Sequence, residues 1–261
     1  MYKSILIANR GEIAVRIQKT CKKMGIRTVQ IFSEADEDSL AVKLADKSIL
    51  VGPAQAAQSY LQSEKIVKVA VEEEVDAIHP GYGFLSENAA FAKMVEDSKC
   101  DFIGPSADTI SLLGDKARAR EEAIIAGLKV VPGTTKKLVD IDEATEVAEK
   151  VGYPVMLKAA AGGGGRGIRI VENRAELAQA FAISSAEAEA TFGDGNLYLE
   201  KVIKNARHIE VQIAGDGENF VHFYERDCSI QRRRQKVWEE APAVCLDGKV
   251  RERVCEDALS L

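Results

Sequence analysis

The sequence predicts an α/β fold in two parts, a Rossmann-like parallel sheet at the N-terminus and mixed α+β structure after it. Short apolar runs alternate with helical periodicity in the first part, which is typical of parallel β-α-β units. Beyond Leu113 the pattern changes to Ala- and Glu-rich helices and to strict two-residue alternation. We therefore predict two domains, at residues 1–113 and 114–261.

The elements of the N-terminal domain follow from its apolar runs. Ile13, Ile17, Cys21 and Met24 recur at helical spacing, and Gly25 ends the pattern. Further helices are predicted near residues 64–73 and 88–97. The loops at residues 9–12 and 79–88 follow strands, at the edge where parallel sheets bind ligands. The predicted strands are residues 4–8, 28–32, 48–51, 75–79 and 102–103.

The C-terminal domain has helix and strand signals in a different order. A turn at residues 215–218 joins the alternating strand 208–214 to a partner at 221–225. The last segment, residues 247–261, predicts a helix with Val250, Val254, Ala258 and Leu261 on its apolar face. The other predicted helices are residues 116–126, 141–151 and 175–190, and the other strands are residues 153–157, 168–171 and 196–202.

Composition excludes several classes of protein. Hydrophobic residues make up 46% of the chain and charged residues 29%, as in soluble globular proteins. The net charge of −6 argues against nucleic-acid binding. Neither a membrane-spanning stretch nor a secretory signal is predicted, so we expect a cytoplasmic protein without a membrane partner. The five cysteines lack C-x-x-C spacing, so we expect no zinc site and no disulfide framework.

The most distinctive segment is a glycine-rich loop between two apolar runs, KAAAGGGGRGIR at residues 158–169. Glycines let backbone N–H groups approach an anion closely, because no Cβ intervenes and positive φ is allowed. Apolar flanks argue against a flexible linker, and a strand after the glycines argues against a Walker A or dinucleotide motif. The pattern predicts a lid over a polyphosphate, with charge from Lys158 and Arg166. The glycines of this lid are Gly162, Gly163, Gly164, Gly165 and Gly167.

Other residues suit a nucleotide site, each with a structural alternative. Lys116 is a candidate phosphate cation, although most single lysines are simply solvated. Residues 200–203 (EKVI) leave a strand beside the lid and could line an adenine slot, or could be an ordinary strand exit. His208 shares a polar strand face with Glu210 and Gln212, as in any half-buried strand.

A charged stretch at residues 225–242, ERDCSIQRRRQKVWEEAP, has three interpretations. It could be a solvated face, a nucleic-acid patch, or a pocket for a small oxyanion such as bicarbonate or phosphate. Acidic neighbours argue against nucleic acid, whereas arginine forks and a lysine suit an oxyanion.

Six segments together resemble the biotin carboxylase family in order and spacing. This ATP-grasp family serves acetyl-CoA, pyruvate, propionyl-CoA and methylcrotonyl-CoA carboxylases. The resemblance implies a pre-ATP-grasp domain at residues 1–113 and an incomplete ATP-grasp domain at 114–261, with a lid subdomain near 130–203. The segments are ILIANRGEIAVRI (5–17), HPGYGFLSEN (79–88), GDKARAR (114–120), KAAAGGGGRGIR (158–169), RHIEVQ (207–212) and ERDCSIQRRRQKVWEEAPA (225–243).

The resemblance also implies a chemistry and its participants. ATP and bicarbonate would give carboxyphosphate, and the carboxyl group would pass to biotin in an ADP-forming ligase reaction. Mg²⁺ or Mn²⁺, a biotin carboxyl carrier protein or domain, a carboxyltransferase and a full-length homodimer are implied with it. The implied roles are phosphate binding for Lys116, Lys158 and the lid, the adenine and ribose pocket for Glu200, Lys201 and Ile203, the ribose side for His208 and Gln231, and the bicarbonate side for Lys236 and Arg234.

The sequence departs from the family in two ways that affect these expectations. Arg234 stands where the family commonly has His, and Trp238 stands where an aliphatic residue is usual. The family also continues well past residue 261, and the resemblance places its acidic metal ligands, general-base glutamate and biotin-contacting arginine there. We therefore expect no metal ligands in this C-terminally truncated chain, and little carboxylase activity or stability from it alone.

Two other functions remain open from the sequence. The chain could be a non-catalytic ATP-binding or subunit-pairing module. It could also belong to an ATP-grasp ligase that joins a carboxylate to an amine, although the motif through Lys236 argues against that class.

Overall fold

The computed structural model describes residues 1–160, 167–232 and 235–261, apart from the side chains of Lys116 and Ala117. The chain divides into two compact units, Met1–Lys116 and Ala117–Leu261.

The first unit is built on a parallel sheet with strand order β3-β2-β1-β4-β5. Its strands are β1 (Ser4–Ile7), β2 (Arg27–Ser33), β3 (Lys47–Gly52), β4 (Ala77–His79) and β5 (Asp101–Phe102). Its helices are α1 (Gly11–Met24), α2 (Leu40–Leu44), α3 (Ser63–Glu72), α4 (Ala89–Glu96) and α5 (Ala107–Gly114). Strands β2 and β3 lie on one side of β1, and β4 and β5 lie on the other. The order in which strands are added therefore reverses at β1, and ligands of such sheets bind at the C-terminal end of the strand where this happens.

Both faces of this sheet are buried, which explains why its strands are continuous apolar runs. Leu6 and Ile31 pack into a core cluster separate from the one that contains Ile5 and Ile7. Alternate residues of one strand thus enter cores on opposite faces. Helix α1 ends at Gly25 in the left-handed conformation with φ 71°, as the sequence predicts.

Two helices of the first unit were not predicted. The five-residue helix α2 exposes Leu40 and Leu44, so its apolar residues do not mark a buried stripe. Helix α5 begins at a serine cap, where the Ser106 hydroxyl accepts a hydrogen bond from Thr109 N–H at 3.1 Å. That cap was the available signal for α5.

The second unit has the predicted mixed α+β structure, and its described strands form two antiparallel sheets, β7-β6-β8 and β11-β10-β9. The strands are β6 (Val155–Ala159), β7 (Ile168–Val171), β8 (Leu197–Lys201), β9 (Ile209–Gly215), β10 (Phe220–Arg232) and β11 (Gln235–Glu240). The helices are α6 (Lys116–Ile125), α7 (Ile141–Val151), α8 (Arg174–Phe192) and α9 (Gly248–Ser260).

The sheet that carries the glycine-rich loop has its own core. Leu157 of β6 and Leu199 of β8 are fully buried, and they pack with Leu177 of α8 and Ala148 of α7. The two helices therefore cover one face of the sheet and hold its strands in place beside the loop.

Strand β10 is longer than predicted, and β11 was missed. The prediction ended the partner strand at residue 225, whereas β10 continues to Arg232. All residues of β11 are exposed, so no apolar alternation marks it in the sequence. The charged stretch at 225–242 is therefore mostly a β-hairpin in the residues that the structure describes.

Helix α9 agrees with the predicted C-terminal helix, but only Val254 and Ala258 of its predicted apolar face are half-buried. Cys255 is buried, whereas Val250 and Leu261 are 43% and 57% exposed. Arg251 donates from Nε to the fully buried carboxylate of Glu225 on β10, at 2.7 Å. This ion pair adds a polar contact to the side of the helix that also carries Val254 and Ala258.

In the part of the chain that the structure describes, we find no helix with the length and apolar character needed to cross a membrane.

Candidate functional site

Lys158 lies near the end of β6, just before the glycine-rich loop. In the sheet it is opposite Ile168 of β7 and Tyr198 of β8. Its ammonium forms an ion pair with the carboxylate of Glu200, and each side chain is 29% exposed. The structure thus joins a predicted phosphate ligand to a residue predicted to line the base pocket. An incoming phosphate would have to share the Lys158 ammonium with the Glu200 carboxylate or displace that carboxylate from it.

The strand exit after β8 is fixed by hydrogen bonds. The backbone N–H groups of Lys201 and Val202 donate to proline carbonyls at 2.8 and 3.1 Å. The Lys201 ammonium donates to the carbonyls of Gly152 and Tyr153 at 2.7 and 2.8 Å. Since the ammonium is bound to the turn before β6, Lys201 can line a base slot with its backbone and alkyl chain. Ile203 follows, with 53% of its surface exposed.

Gly133 packs tightly against this strand exit. It forms an isolated antiparallel bridge with Glu200. A Cβ at position 133 would lie 2.4 Å from the carbonyl oxygen of Leu199, which is closer than atoms can approach without a backbone shift. The absence of a side chain at Gly133 therefore helps to place Glu200, a role that was not predicted from the sequence.

Gly167 is the glycine of the predicted lid that the structure describes. It has φ +68°, and a Cβ there would lie 2.7 Å from the Cβ of Ala159. Its carbonyl accepts a hydrogen bond from Ala159 N–H at 2.8 Å. Both conformation and space thus favour glycine at this position. The predicted site residues Gly162, Gly163, Gly164, Gly165, Arg166 and Arg234, and the side chain of Lys116, lie outside what the structure describes.

A charged cluster forms where β9, β10 and β11 meet, with Glu210 at its centre. The Glu210 carboxylate accepts a hydrogen bond from Arg226 Nε at 2.7 Å and pairs with the ammonium of Lys236. Glu239 lies farther out, at 3.7 Å from Arg226 and 4.0 Å from Lys236. The predicted catalytic lysine is therefore held by one close carboxylate and one looser one.

The charge of this cluster is fixed at neutral pH. Burial alone would raise the pKa of Glu210, but its bonds to Lys236 and Arg226 outweigh burial and lower that pKa to about 2. The same carboxylate raises the pKa of Lys236. Lys236 thus stays a cation, which suits binding an oxyanion and not accepting a proton.

His208 and Gln231 contact each other beside this cluster. Gln231 Nε2 lies 2.9 Å from His208 Nδ1 and donates to the carbonyl of Cys228 at 2.9 Å. With the amide as donor, Nδ1 accepts and Nε2 carries the ring hydrogen. His208 Nε2 is 3.9 Å from Glu210, so the two residues predicted for the ribose side lie next to the group that holds Lys236.

The sequence named the members of this cluster but could not join them. Glu210 was assigned to a polar strand face, and Arg226 and Lys236 to a charged run. In the structure Glu210 is directly opposite Arg226, and Gln231 is opposite Lys236. Register shifts in β10 set these pairs, and no sequence pattern encodes them.

One set of side chains in the described residues has metal-ligand geometry, namely Glu210, Cys228 and Glu239, with ligand atoms within 4.8 Å of one another. It does not fit Mg²⁺, which prefers octahedral oxygen ligands. Glu210 is already neutralised by two cations, and burial raises the pKa of the Cys228 thiol, which keeps it protonated. This cluster is therefore not a candidate magnesium site.

The predicted loops of the first unit form a tight hydrogen-bonded turn. The amide of the buried Asn9 donates to the carbonyls of Pro80 and Tyr82 at 2.7 and 2.8 Å. His79 Nδ1 accepts from Gly81 N–H at 3.0 Å, and burial lowers the pKa of this imidazole. His79 is therefore held in this turn as a neutral ring.

Comparison with protein families identifies a domain in each half of the chain. The family model for the biotin carboxylase N-terminal domain matches residues 1–110. The family model for the ATP-binding domain of the carbamoyl-phosphate synthase L chain matches residues 115–261.

Individual proteins agree with these matches. The chain is 54% identical over 255 residues to a biotin carboxylase of Halalkalibacterium halodurans, covering 97% of this chain and 56% of that protein. It is 49% identical over 261 residues to human mitochondrial pyruvate carboxylase, covering 99% of this chain and 22% of that protein. The chain thus spans little more than half the length of the biotin carboxylase that it matches.

Solved structures show the same fold. A crystal structure of a biotin carboxylase–β,γ-ATP complex from Campylobacter jejuni has a TM-score of 0.91 at 49% identity, covering 100% of this chain and 58% of that one. The biotin carboxylase domain dimer of Hydrogenobacter thermophilus 2-oxoglutarate carboxylase, in complex with MgADP, ADP and bicarbonate, has a TM-score of 0.89 at 47% identity. It covers 100% of this chain and 57% of that one.

Proposed function

Because the chain belongs to the biotin carboxylase family, we propose that it supplies the nucleotide and bicarbonate side of an ATP-dependent biotin carboxylation. The reaction forms carboxyphosphate from ATP and bicarbonate, and the carboxyl group then passes to biotin on a carrier protein. The observation that carries the proposal is the state of two lysines on separate sheets. Lys158 and Lys236 are 29% and 37% exposed, and each is held against a carboxylate instead of lying free in solvent.

On the nucleotide side, we assign phosphate binding to Lys158 together with Lys116 and the glycine loop. Glu200, Lys201 and Ile203 would line the slot for adenine and ribose. The fixed backbone after β8 supports this role, since a rigid strand exit can present hydrogen-bonding groups to a base without ordering cost. His208 and Gln231 would complete the ribose side.

On the bicarbonate side, we assign the central role to Lys236, with Arg234 beside it in sequence. A lysine that stays charged can bind bicarbonate and neutralise charge on a transferring phosphoryl group. Glu210 holds this ammonium in place and is itself bound by Arg226, so the donor is oriented before substrate arrives. Such preorganisation favours the transition state because little reorganisation remains.

Magnesium has no step in this assignment, because the cluster of Glu210, Cys228 and Glu239 does not fit it. The partners we propose are a biotin carboxyl carrier protein or domain, a carboxyltransferase that sets the final acceptor, and a second copy in a full-length homodimer. Each of these is a proposal for the whole protein and not for residues 1–261 alone.

The test is ADP release that depends on both bicarbonate and free biotin. The 261-residue chain would be compared with a form extended to the length of the related biotin carboxylases. We expect activity in the extended form, and a loss of roughly 100-fold or more in kcat/KM for Lys236→Met and for Lys158→Met. Lys249→Met, at an exposed position of α9, is the matched control and should keep its activity. An extended form without this activity would overturn the proposal.

A second function needs only the nucleotide side, namely Lys158 and the fixed strand exit after β8. The chain by itself could bind ATP without turnover. Calorimetric titration with ATP would then show binding by the 261-residue chain while ADP release stays at background. An amine-dependent release of ADP would instead indicate a carboxylate–amine ligase.

A further inference from the structure

A buried carboxylate on β10 lies next to the proposed ribose side and has no role so far. Asp227 is only 6% exposed. One of its oxygens accepts a hydrogen bond from Ser229 N–H at 2.9 Å. The other pairs with the Arg207 guanidinium at 2.9 Å and lies 3.4 Å from the Cys245 thiol. A single charge thus connects three segments of the chain.

The partners of Asp227 adjoin His208 on both sides. Arg207 precedes His208 in the sequence, and the Ser229 hydroxyl accepts a hydrogen bond from His208 N–H at 2.9 Å. The His208 carbonyl accepts from Cys228 N–H at 2.8 Å. The backbone of His208 is therefore held at both of its polar groups, and one of these contacts depends on the segment that Asp227 organises.

Asp227 also lies at the start of an irregularity in β10. The pairing with β11 shifts register between Asp227 and Ile230, and again between Ile230 and Gln231. Bulges of this kind re-aim the side chains that follow them. Within this irregular segment the Asp227 carboxylate accepts a hydrogen bond from Ser229 N–H. Gln231 follows the segment and lies in hydrogen-bond contact with the His208 ring.

We propose that Asp227 is a positioning residue for the nucleotide side: through Arg207 and Ser229 it keeps His208 and Gln231 joined where ribose is proposed to bind. This inference rests on the proposed function. Asp227 itself contacts no substrate in this scheme, and it acts through His208.

The carboxylate keeps its charge over the whole neutral range. Hydrogen bonds from Ser229, with further contributions from Cys245 and Arg207, lower the pKa of Asp227 to about 2. Removal of the charge by Asp227→Asn keeps the size of the side chain but takes away the partner of Arg207. Asp216→Asn is the control, since Asp216 also accepts hydrogen bonds from backbone N–H groups, two of them, but lies in the β9–β10 turn.

The test is a double-mutant cycle read as nucleotide affinity of the 261-residue chain. Binding of ATP and of 2′-deoxy-ATP would be measured for the wild type, Asp227→Asn, His208→Ala, the double variant and Asp216→Asn. We expect Asp227→Asn to weaken ATP binding roughly 10- to 100-fold, the scale of a small misplacement of a binding group. We expect no further loss in the His208→Ala background, and a reduced preference for ATP over 2′-deoxy-ATP.

Two results would overturn the inference. The losses from Asp227→Asn and His208→Ala could multiply in the double variant, which would mean independent action. Asp227→Asn could also weaken ATP and 2′-deoxy-ATP equally, which is what a purely structural role predicts. If Asp227→Asn does not fold, Ser229→Ala undergoes the same cycle with the same criteria.

Failure of the proposed function would be visible separately. A wild-type chain that binds no ATP would contradict the proposed nucleotide site. The positioning role of Asp227 is then tested by ¹⁵N NMR of the His208 ring. The His208 signal is assigned by its loss in His208→Ala. We expect an Nε2–H tautomer in the wild type and in Asp216→Asn, and tautomer averaging in Asp227→Asn. An unchanged His208 signal in Asp227→Asn would overturn the inference.

Discussion

The parallel sheet of the first unit and the β11-β10-β9 sheet of the second are stabilised in different ways. Every residue of β1 is buried, and its side chains enter apolar clusters on both faces. Every residue of β11 is exposed, and the strands of that sheet are joined through Glu210, Arg226 and Lys236. The first sheet is stabilised mainly by burial, whereas the second exposes many of its side chains and is ordered locally by ion pairs.

The β11-β10-β9 sheet also exposes large apolar side chains. Six of them are between 59% and 65% exposed, which is far from a core environment. Exposed apolar clusters of this kind indicate surfaces that bind or aggregate. Low stability and a tendency to associate therefore remain our predictions for the 261-residue chain. The six residues are Phe220, Phe223, Tyr224, Ile230, Val237 and Trp238.

The largest difference between the sheets should appear on truncation of their apolar side chains. Phe91 is fully buried and packs edge-to-face on Phe102, with ring centroids 6.0 Å apart. Phe91→Ala should lower the free energy of unfolding of the first unit by about 3–5 kcal/mol. Val237→Ala, on the exposed β11, should change stability by less than about 0.5 kcal/mol. Denaturant titration with a probe in each unit measures both, and equal losses would contradict the comparison.

A smaller effect is expected from the ion pairs of the second sheet, and it should depend on pH. The pKa of Glu210 is about 2 in the folded chain and 4.5 as its ordinary value. Its contribution is therefore fully present above about pH 4.5 and is lost as the pH falls towards 2. Glu210→Gln should lower the free energy of unfolding by about 2 kcal/mol at neutral pH, after allowance for solvent screening.

The matched control for Glu210→Gln is Glu218→Gln, at an exposed position in the β9–β10 turn. The curves of the wild type and Glu210→Gln, measured by urea unfolding from pH 7 downward, should converge at low pH. A difference that does not depend on pH would show that Glu210 acts through packing and not through its charge.

The sheet that carries the glycine-rich loop lies between these extremes, and Gly133 tests how tightly it is packed. A Cβ at this position meets backbone atoms of Leu199 and Glu200 at 2.4 and 2.9 Å. Gly133→Ala should therefore destabilise the second unit by about 1–2 kcal/mol, since backbone cannot move aside cheaply. It should also weaken ATP binding if Glu200 lines the base pocket. Normal stability in thermal unfolding would show that the strand exit is looser than the structure indicates.

The same contrast explains what could be predicted from the sequence. The buried strands of the first unit contain apolar runs such as SILI, so their positions along the chain and the parallel sheet were predicted. Lys158 was identified because an apolar strand and a glycine loop flank it. In both cases the pattern is local, and burial leaves it visible in composition.

The charged site could not be assembled from the sequence, because its pairs depend on register. Glu210 meets Arg226 only after the shift in β10 between His222 and Glu225, and that shift has no apolar signature. Arg251 appears in the sequence as a surface residue of a helix, yet it turns inward to a buried Glu225. Polar contacts between distant segments decide such positions, and these contacts form only in the fold.

The smallest effect concerns α9, the helix that covers part of the second sheet. Gly248 is its first residue, and a Cβ there meets no atom within 4 Å. Its φ is not in the left-handed region, so alanine fits without strain. Gly248→Ala should raise the free energy of unfolding by about 0.4–1 kcal/mol, because the unfolded chain loses freedom. A loss of stability in urea unfolding would mean that the start of α9 lies closer to the β11-β10-β9 sheet than in this structure. That sheet would then be better covered than the comparison of the two sheets assumes.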